Sequence, residues 1–257
     1  MTPQQRMRLK EEFHAKGFVV IRRFMEESFL QRVEHETMNL AATGREKLGA
    51  RDIHFAGPRG EFISSMHNLA NHLSMYADFM TATELKELAS FFFDEPIAPT
   101  VFNSSYFAKP AYYGLETKLH QDNAYFHMSP PHVITCWFGL DESKKDNGGL
   151  YYYEGSGELG LLPHQTIGEL GASQAIADAY VDRVNAFPKR FLNLKRGDVV
   201  MHGPLVVHGS LPNRSPRPRR GFNFSFATTA CRRDEASHAR YLAQLTEFLQ
   251  RKNRDLN

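Results

Sequence analysis

Apolar residues change their spacing about a third of the way along the chain. Residues 3 to 16 read as a helix, with Pro3 near its start and Gly17 at its end. Phe18-Val19-Val20-Ile21 follows as a short strand, and Glu26 to about Ala42 as a second helix with Phe29, Val33 and Met38 on a broadly apolar side. Residues 44 to 65 carry Gly, Arg and Pro without a clear period and read as loop. Two more helices are expected over about 68 to 80 and 83 to 94, the second on the helix-favouring Glu84-Leu85-Lys86-Glu87-Leu88. From residue 98 the pattern turns to short β-rich runs: Thr100 to Lys109, Val133 to Leu140, Leu150 to Glu154, Phe191 to Leu194, Val199 to His202, Leu205 to His208 and Gly221 to Thr228. In the last of these, Phe222, Phe224 and Phe226 alternate with Asn223 and Ser225, a period of two. A helix-like insertion is expected over 164 to 185. One amphipathic helix is expected over about Ser237 to Lys252, with Tyr241, Leu242, Leu245, Phe248 and Leu249, packing on the core or on a partner chain rather than on a membrane. Many short strands joined by Gly/Pro turns predict a sandwich or barrel, and helices gathered ahead of the strands would buttress one of its faces.

At 257 residues the chain is long enough for a full core in one domain spanning 1–257: a helical part over about 1–97, a β core over about 98–230 and the tail helix. Hydrophobic residues at 42% and charged residues at 23% are ordinary for a globular protein. No apolar run is long enough to span a bilayer, and Met1-Thr2-Pro3-Gln4-Gln5-Arg6 has no apolar core behind it. Two cysteines, Cys136 and Cys231, argue against a disulfide framework, so a reducing cytoplasm is the expected compartment. The formal net charge is +2, unevenly spread: ten Lys and Arg between Lys189 and Arg233 stand against Asp198 alone. Pro212, Pro216 and Pro218 place part of this cluster in a loop, so anionic small molecules are a simpler partner than nucleic acid. For Arg214 and Arg217 a solvated loop suffices.

The candidate chemistry starts at Lys118-Leu119-His120-Gln121-Asp122. On an extended strand, residues i and i+2 share a face, so the His120 imidazole and Asp122 carboxylate converge. A second histidine, His208, would complete two histidines and one carboxylate on one face of a metal, as in non-haem Fe(II) oxygenases. With 12 histidines and 29 acidic residues the triplet alone is better explained by a histidine bonded within a strand. The surroundings of His208 change that weighting. Gly197-Asp198 leads into an apolar run ending His208-Gly209-Ser210, with Asn213, Arg214 and Arg219 downstream. Trp137-Phe138-Gly139-Leu140-Asp141, then Asp146-Asn147-Gly148-Gly149-Leu150, Gly155-Ser156 and Leu162-Pro163-His164 belong to the same pattern, as does Lys109-Pro110 upstream. Together these resemble the phytanoyl-CoA dioxygenase family, over roughly residues 10 to 230 and best from about 105 to 228.

The resemblance implies a mainly β fold with flanking helices, a double-stranded β-helix of the cupin-type jelly roll, and dependence on Fe(II), 2-oxoglutarate and O2. It assigns His120, Asp122 and His208 as metal ligands, and Arg219 as the cation for the far carboxylate of 2-oxoglutarate, to which a guanidinium fork is suited. Ser210, on the same strand face as His208, would donate a hydroxyl to that carboxylate. Thr135 and Trp137 share a face of their strand and, with Ser105, are further candidates for the co-substrate wall; core packing explains Trp137 equally well. Arg220 is the rival of Arg219 after a one-residue shift. His202 is the rival distal ligand but lacks a Ser and Arg at the right offsets, so it reads as packing or support for the ligands. His127, His132 and His164 read as surface or loop histidines. Asn123, Tyr125 and Phe126 line the substrate side or pack the loop, with equal weight.

Halogenating relatives lack the carboxylate ligand, so Asp122 points to hydroxylation of a C–H bond in a small metabolite, with release of succinate and CO2. Desaturation, epimerisation or cyclisation at the same iron, a non-catalytic cupin-fold binding protein, and a protein or nucleic-acid hydroxylase are the alternatives. A pocket closed by segments 44 to 65 and 164 to 185 would favour a small molecule. Where relatives commonly carry Pro-Gly-Ser-His, this chain has Glu154-Gly155-Ser156-Gly157, so the substrate does not carry over. Nothing in the chain demands an oligomer.

Overall fold

The computed structural model describes residues 1–49, 52–73, 83–98, 103–167 and 173–255. Helix α1 (Pro3–Lys16) begins with a capping box: Thr2 Oγ1 accepts the Gln5 N–H while Gln5 Oε1 accepts the Thr2 N–H. It ends at Gly17, whose φ of 83° lets the chain turn back with its N–H on Phe13 O, and whose missing side chain leaves room for Val206. Then follow β1 (Phe18–Ile21), α2 (Glu27–Lys47), the hairpin β2 (Ile53–Ala56) and β3 (Phe62–His67), and α3 (Thr83–Phe93). The β core contains β4 (Asn103–Lys109), β5 (Thr117–His120), the one-turn α4 (Asn123–Phe126), β6 (Met128–Ser129), β7 (Val133–Gly139) and β8 (Leu150–Tyr153). It continues through β9 (His164–Thr166), β10 (Gln174–Ile176), α5 (Val181–Asn185), β11 (Lys189–Phe191), β12 (Val199–His202), β13 (His208–Ser210), β14 (Arg219–Ala227) and β15 (Arg232–Arg233), and α6 (Glu235–Asp255) closes the described chain.

A seven-stranded antiparallel sheet runs β1-β12-β7-β14-β4-β3-β2, and a four-stranded one β11-β8-β13-β5. Together they form the double-stranded β-helix that the resemblance implied. On β14 the period of two separates the two layers of core. Phe222, Phe224 and Phe226 point to the helices and pack with Phe13, Leu30, Val33, Leu88 and Phe92. Arg219, Gly221, Asn223 and Ser225 alternate with them and so share the opposite face of the strand. Trp137 and Tyr152 belong to a second core cluster with Val200, Leu150 and Val206. Stacking of Phe138 on Phe222, with centroids 4.7 Å apart and planes 11° from parallel, ties neighbouring strands together on the helical side.

Several boundaries depart from expectation. Segment 44–65, expected as loop, contains the end of α2 and most of the β2–β3 hairpin. Its alternation was hidden because His54 and Ser65 are polar residues turned inward. Segment 164–185 holds a β9–β10 hairpin, a 3-10 turn and the five-residue α5 instead of a longer helix, and its residues 168–172 lie outside the description. Of the helix expected over 68–80, the described part holds one 3-10 turn, Leu69–Asn71; residues 74–80 lie outside the described residues. The strand expected over Leu205–His208 instead begins at His208, and that expected over Phe191–Leu194 is displaced to Lys189–Phe191, with Leu194 bridging Ser143.

Phe222 is fully buried between strand neighbours and helices. Phe222→Ala should therefore lower unfolding free energy by about 3–5 kcal/mol, read as a shift of the urea midpoint with an unchanged slope.

Candidate metal centre and its cavity

Strands β5 and β13 pair so that His120 lies directly opposite His208, their ring centroids 4.2 Å apart. Each ring is fixed through its Nδ1, which sits 2.9 Å from Lys118 O in His120 and 3.1 Å from Val206 O in His208. A carbonyl accepts only, so Nδ1 carries the proton in both and the two Nε2 lone pairs are left facing inward. Asp122 does not lie on the strand, as the i, i+2 reading required. Strand β5 ends at His120, and Asp122 (φ −59°, ψ −29°) opens α4. Gln121 makes this turn. Its buried carboxamide donates to Gly160 O and Leu205 O and accepts the Leu162 N–H, while its own N–H goes to His164 Nε2. The result still brings Asp122 Oδ1 to 3.6 Å from both Nε2 atoms. Among the described residues these three are the one cluster with metal-ligand geometry.

The other carboxylate oxygen is already held. Asp122 Oδ2 accepts from Thr135 Oγ1 at 2.9 Å and from His202 Nε2 at 3.1 Å, and Tyr152 hydroxyl meets His202 Nδ1 at 3.0 Å. Tyr152 also stacks on His208, planes 13° from parallel. Burial alone would raise the Asp122 pKa, but the surrounding histidines, with His202 donating to Oδ2, outweigh it and hold the carboxyl well below its ordinary value. Burial and neighbouring His120 push His208 well below its ordinary value. An ionised carboxylate and a neutral imidazole are the forms that bind metal.

The cluster opens into a cavity of roughly 630 Å³. Arg219, 2% exposed, reaches it from β14; its Nε and Nη2 both donate to Gly148 O, at 3.1 and 2.7 Å, and its guanidinium lies 5.3 Å from the Trp137 ring centroid. Burial lowers its pKa to about 10, which leaves it charged at neutral pH. Among the described residues no carboxylate pairs with it. Arg220 alternates to the other face, where it pairs with Asp141 through Nε and Nη2 at 2.8 Å each and with Glu34. Ser210, Trp137, Thr135 and Ser105 all line the cavity. The Thr135 hydroxyl is directed at Asp122, and the Ser105 hydroxyl lies between His67 Nδ1 (2.9 Å) and Asn103 Oδ1 (3.2 Å).

Tyr125 and Phe126 line the cavity, whereas Asn123 closes the short helix by bonding the backbone of Met128. Ser156, in the segment that departs from the family pattern, accepts the Val207 N–H just ahead of β13. His132 sits beside Glu95. His164, expected as a surface or loop histidine, is instead the acceptor behind the Gln121 turn. The sequence reading also missed Gln121 and Tyr152, which carry no motif signal, and the wall formed by His54 and His67. It did not anticipate that α6 brings Tyr241, Leu242 and Leu245 over the cavity. Of the basic cluster, Arg190, Arg196, Arg217 and Arg220 are in ion pairs with acids from elsewhere, and only Arg219 and Arg233 line the cavity.

A jelly roll with a His-Asp-His cluster facing a buried, acid-free arginine is the architecture of a metal-dependent oxygenase. A profile of the phytanoyl-CoA dioxygenase (PhyH) family matches residues 13–221, and the chain belongs to that family. The peroxisomal phytanoyl-CoA dioxygenase of Homo sapiens is 24% identical over 230 residues, covering 85% of this chain and 67% of the relative. Among solved structures, AviO1 from Streptomyces viridochromogenes Tue57 superposes with a TM-score of 0.68 at 25% identity, covering 90% of this chain and 99% of that one. The epimerase SnoN in complex with Fe3+, alpha ketoglutarate and nogalamycin RO superposes at 0.70 with 18% identity, covering 90% and 86%.

Two outcomes follow from this geometry. His202→Phe removes a donor to Asp122 Oδ2, and should weaken Fe(II) affinity by roughly 10- to 100-fold, measured by anaerobic metal titration. Burial depresses His67 to about 3 and His164 to about 4. Below the unfolded-state value near 6.5 the unfolded chain takes up protons that these two refuse, so stability falls as the pH drops from about 6.5. Each should cost on the order of 2 kcal/mol at pH 5 relative to pH 7. Urea unfolding at the two pH values would show the loss, and the pH dependence should flatten in a His67→Gln, His164→Gln variant.

Proposed function

We propose that the protein is an Fe(II)- and 2-oxoglutarate-dependent dioxygenase that hydroxylates a C–H bond of a small metabolite. His120, Asp122 and His208 would hold the iron through two Nε2 atoms and Oδ1. The observation that carries the reading is Arg219: a buried guanidinium without an acidic partner, in the same cavity as the metal cluster. An unpaired buried charge is costly, and the far carboxylate of 2-oxoglutarate would neutralise it. Ser210 shares its end of the cavity, and Trp137 forms the wall on which the guanidinium rests.

Bound iron and 2-oxoglutarate together supply the activation of O2: substrate R–H, 2-oxoglutarate and O2 give R–OH, succinate and CO2. The chain's own residues do the rest. Arg219 and Ser210 orient the co-substrate. Thr135 and His202 occupy Oδ2 and leave Oδ1 for the metal. The roof from α6 would shield the site from water. That roof, the β2–β3 wall and Ser173 from segment 164–185 enclose a volume suited to a small molecule rather than to a protein or nucleic-acid surface. Epimerisation, desaturation or cyclisation is the second reading, favoured by the shared fold with the epimerase SnoN. Among the described residues no helix is long and apolar enough to cross a membrane. The reducing cytoplasm is the compartment proposed, because Cys136 and Cys231 are both buried and unbridged.

Adding 2-oxoglutarate to the anaerobic Fe(II)-loaded protein should produce the visible charge-transfer band of the chelate. His208→Ala should abolish it. Arg219→Met should raise the half-saturating 2-oxoglutarate concentration roughly 10- to 100-fold. Iron-loaded protein that gives no band would overturn the assignment.

A further inference from the structure

The cavity runs on past the metal cluster, away from Arg219. Arg219 opens β14, and Arg233 lies beyond the end of that strand, in β15. Ser225, close to that end, meets Thr135 Oγ1 at 3.0 Å, and Thr135 in turn donates to Asp122. From His120 a row of rings leads the same way. Tyr125 lies 5.9 Å from His120, Tyr241 of α6 lies 5.7 Å from Tyr125, and His238 lies 6.1 Å from Tyr241, between centroids. Tyr125, Phe126, Tyr241, Leu242 and Leu245 make this end largely apolar, and Arg233 and His238 border it. The Tyr125 hydroxyl is taken up by the Gln174 N–H at 3.1 Å, and the Tyr241 hydroxyl lies 3.5 Å from Ser173 Oγ.

The charge at this end is that of Arg233. Burial, and then the Arg233 charge itself, hold the His238 pKa below its ordinary value, and the same guanidinium acts on His127, so it lies close to both rings. The acids next to it in sequence serve α6. Asp234 Oδ1 accepts the Ser237 N–H and its Oδ2 accepts the Ser237 hydroxyl, capping the helix, and Glu235 is exposed in the first turn. Among the described residues only two carboxylates line the cavity. Asp122 belongs to the metal cluster, and Glu116 stands at the Ser210 end, beside Thr117, with Lys118 as its partner. Arg233 and α6 also lie outside residues 13–221, so the family pattern does not prescribe this end of the cavity. One guanidinium at the edge of an apolar pocket matches one anionic group on an apolar body. An ammonium would meet like charge, and a bare hydrocarbon would take water from the guanidinium without replacing it.

We propose that the substrate is an apolar molecule bearing one anionic group, a carboxylate or a phosphate, which Arg233 binds while the carbon skeleton lies between α6 and the Tyr125–Phe126 turn. The inference rests on the oxygenase reading, which gives Arg219 to the co-substrate and leaves this end for the substrate. Arg233 is then a specificity-determining residue: the group it anchors fixes which stretch of the skeleton passes the metal.

The experiment uses the full chain loaded with Zn(II) and kept saturated with 2-oxoglutarate, so that probes report on the far end of the cavity. Saturation-transfer NMR titrations compare 4-phenylbutanoate, 2-phenylethyl phosphate, 4-phenylbutanamide and 4-phenylbutylamine. The Fe(II)–2-oxoglutarate band is recorded first for each protein, so a failed cofactor assignment is seen separately from a failed substrate class. In the parent protein at least one acid should bind about tenfold tighter than the amide or the amine, and the tighter of the two acids identifies the anion. Arg233→Gln should remove that preference and leave amide binding unchanged, while Arg233→Lys, which keeps the charge, should retain part of it. Leu245→Ala should weaken acid and amide alike. The proposal is overturned if the amide or the amine binds as tightly as both acids, or if all four are silent in protein that forms the band. It is equally overturned if the acids bind Arg233→Gln as they bind the parent, or if Leu245→Ala changes nothing.

Discussion

The site depends on one pairing, that of β5 with β13, which sets His120 opposite His208. The backbone settles more here than position. Each ring gives its Nδ1 proton to a carbonyl two residues earlier in its own chain, Lys118 O or Val206 O. The tautomer is therefore fixed by main-chain geometry before any ion arrives, and both lone pairs are already aimed. Tyr152, on the strand beside β13, completes the arrangement by lying flat on His208 while its hydroxyl reaches His202. One aromatic residue thus locks both a candidate ligand and the histidine that steadies the carboxylate of Asp122.

How much of this was legible in the sequence differs from element to element. The alternation around Phe222, Phe224 and Phe226 made β14 readable, and the same period of two separates Arg219 from Arg220, so a single strand carries both the fold and the choice of arginine. The metal cluster was legible through the surroundings of His208, although the reason given for Asp122 was not the one the chain uses. Gln121 ends the strand and the carboxylate arrives from a helical turn. Nothing in a lone Gln announces that its carboxamide will be fully bonded by two distant segments.

The β2–β3 hairpin was illegible for a physical reason. Sequence reading finds strands by one apolar face, and here the inward face is built of His54, Ser65 and His67 because it borders a cavity rather than the core. Polar residues at inward positions are the mark of a site, and they erase the pattern that would locate it. His164 escaped notice in the same way: a histidine without a partner at ligand spacing looks idle until the fold brings the Gln121 N–H to it.

The two sheets divide the labour. The candidate metal ligands come from β5, its exit turn and β13, in and beside the four-stranded sheet, while the opposite wall of the cavity comes from β2, β3, β4 and β14 of the seven-stranded one. The β2–β3 hairpin carries neither a candidate ligand nor Arg219. Mutation can therefore rewrite the hairpin without passing through forms that have lost their oxidising centre. In evolutionary terms the scaffold separates what must stay from what is free to drift, and a lineage can change its chemistry's target while keeping its chemistry.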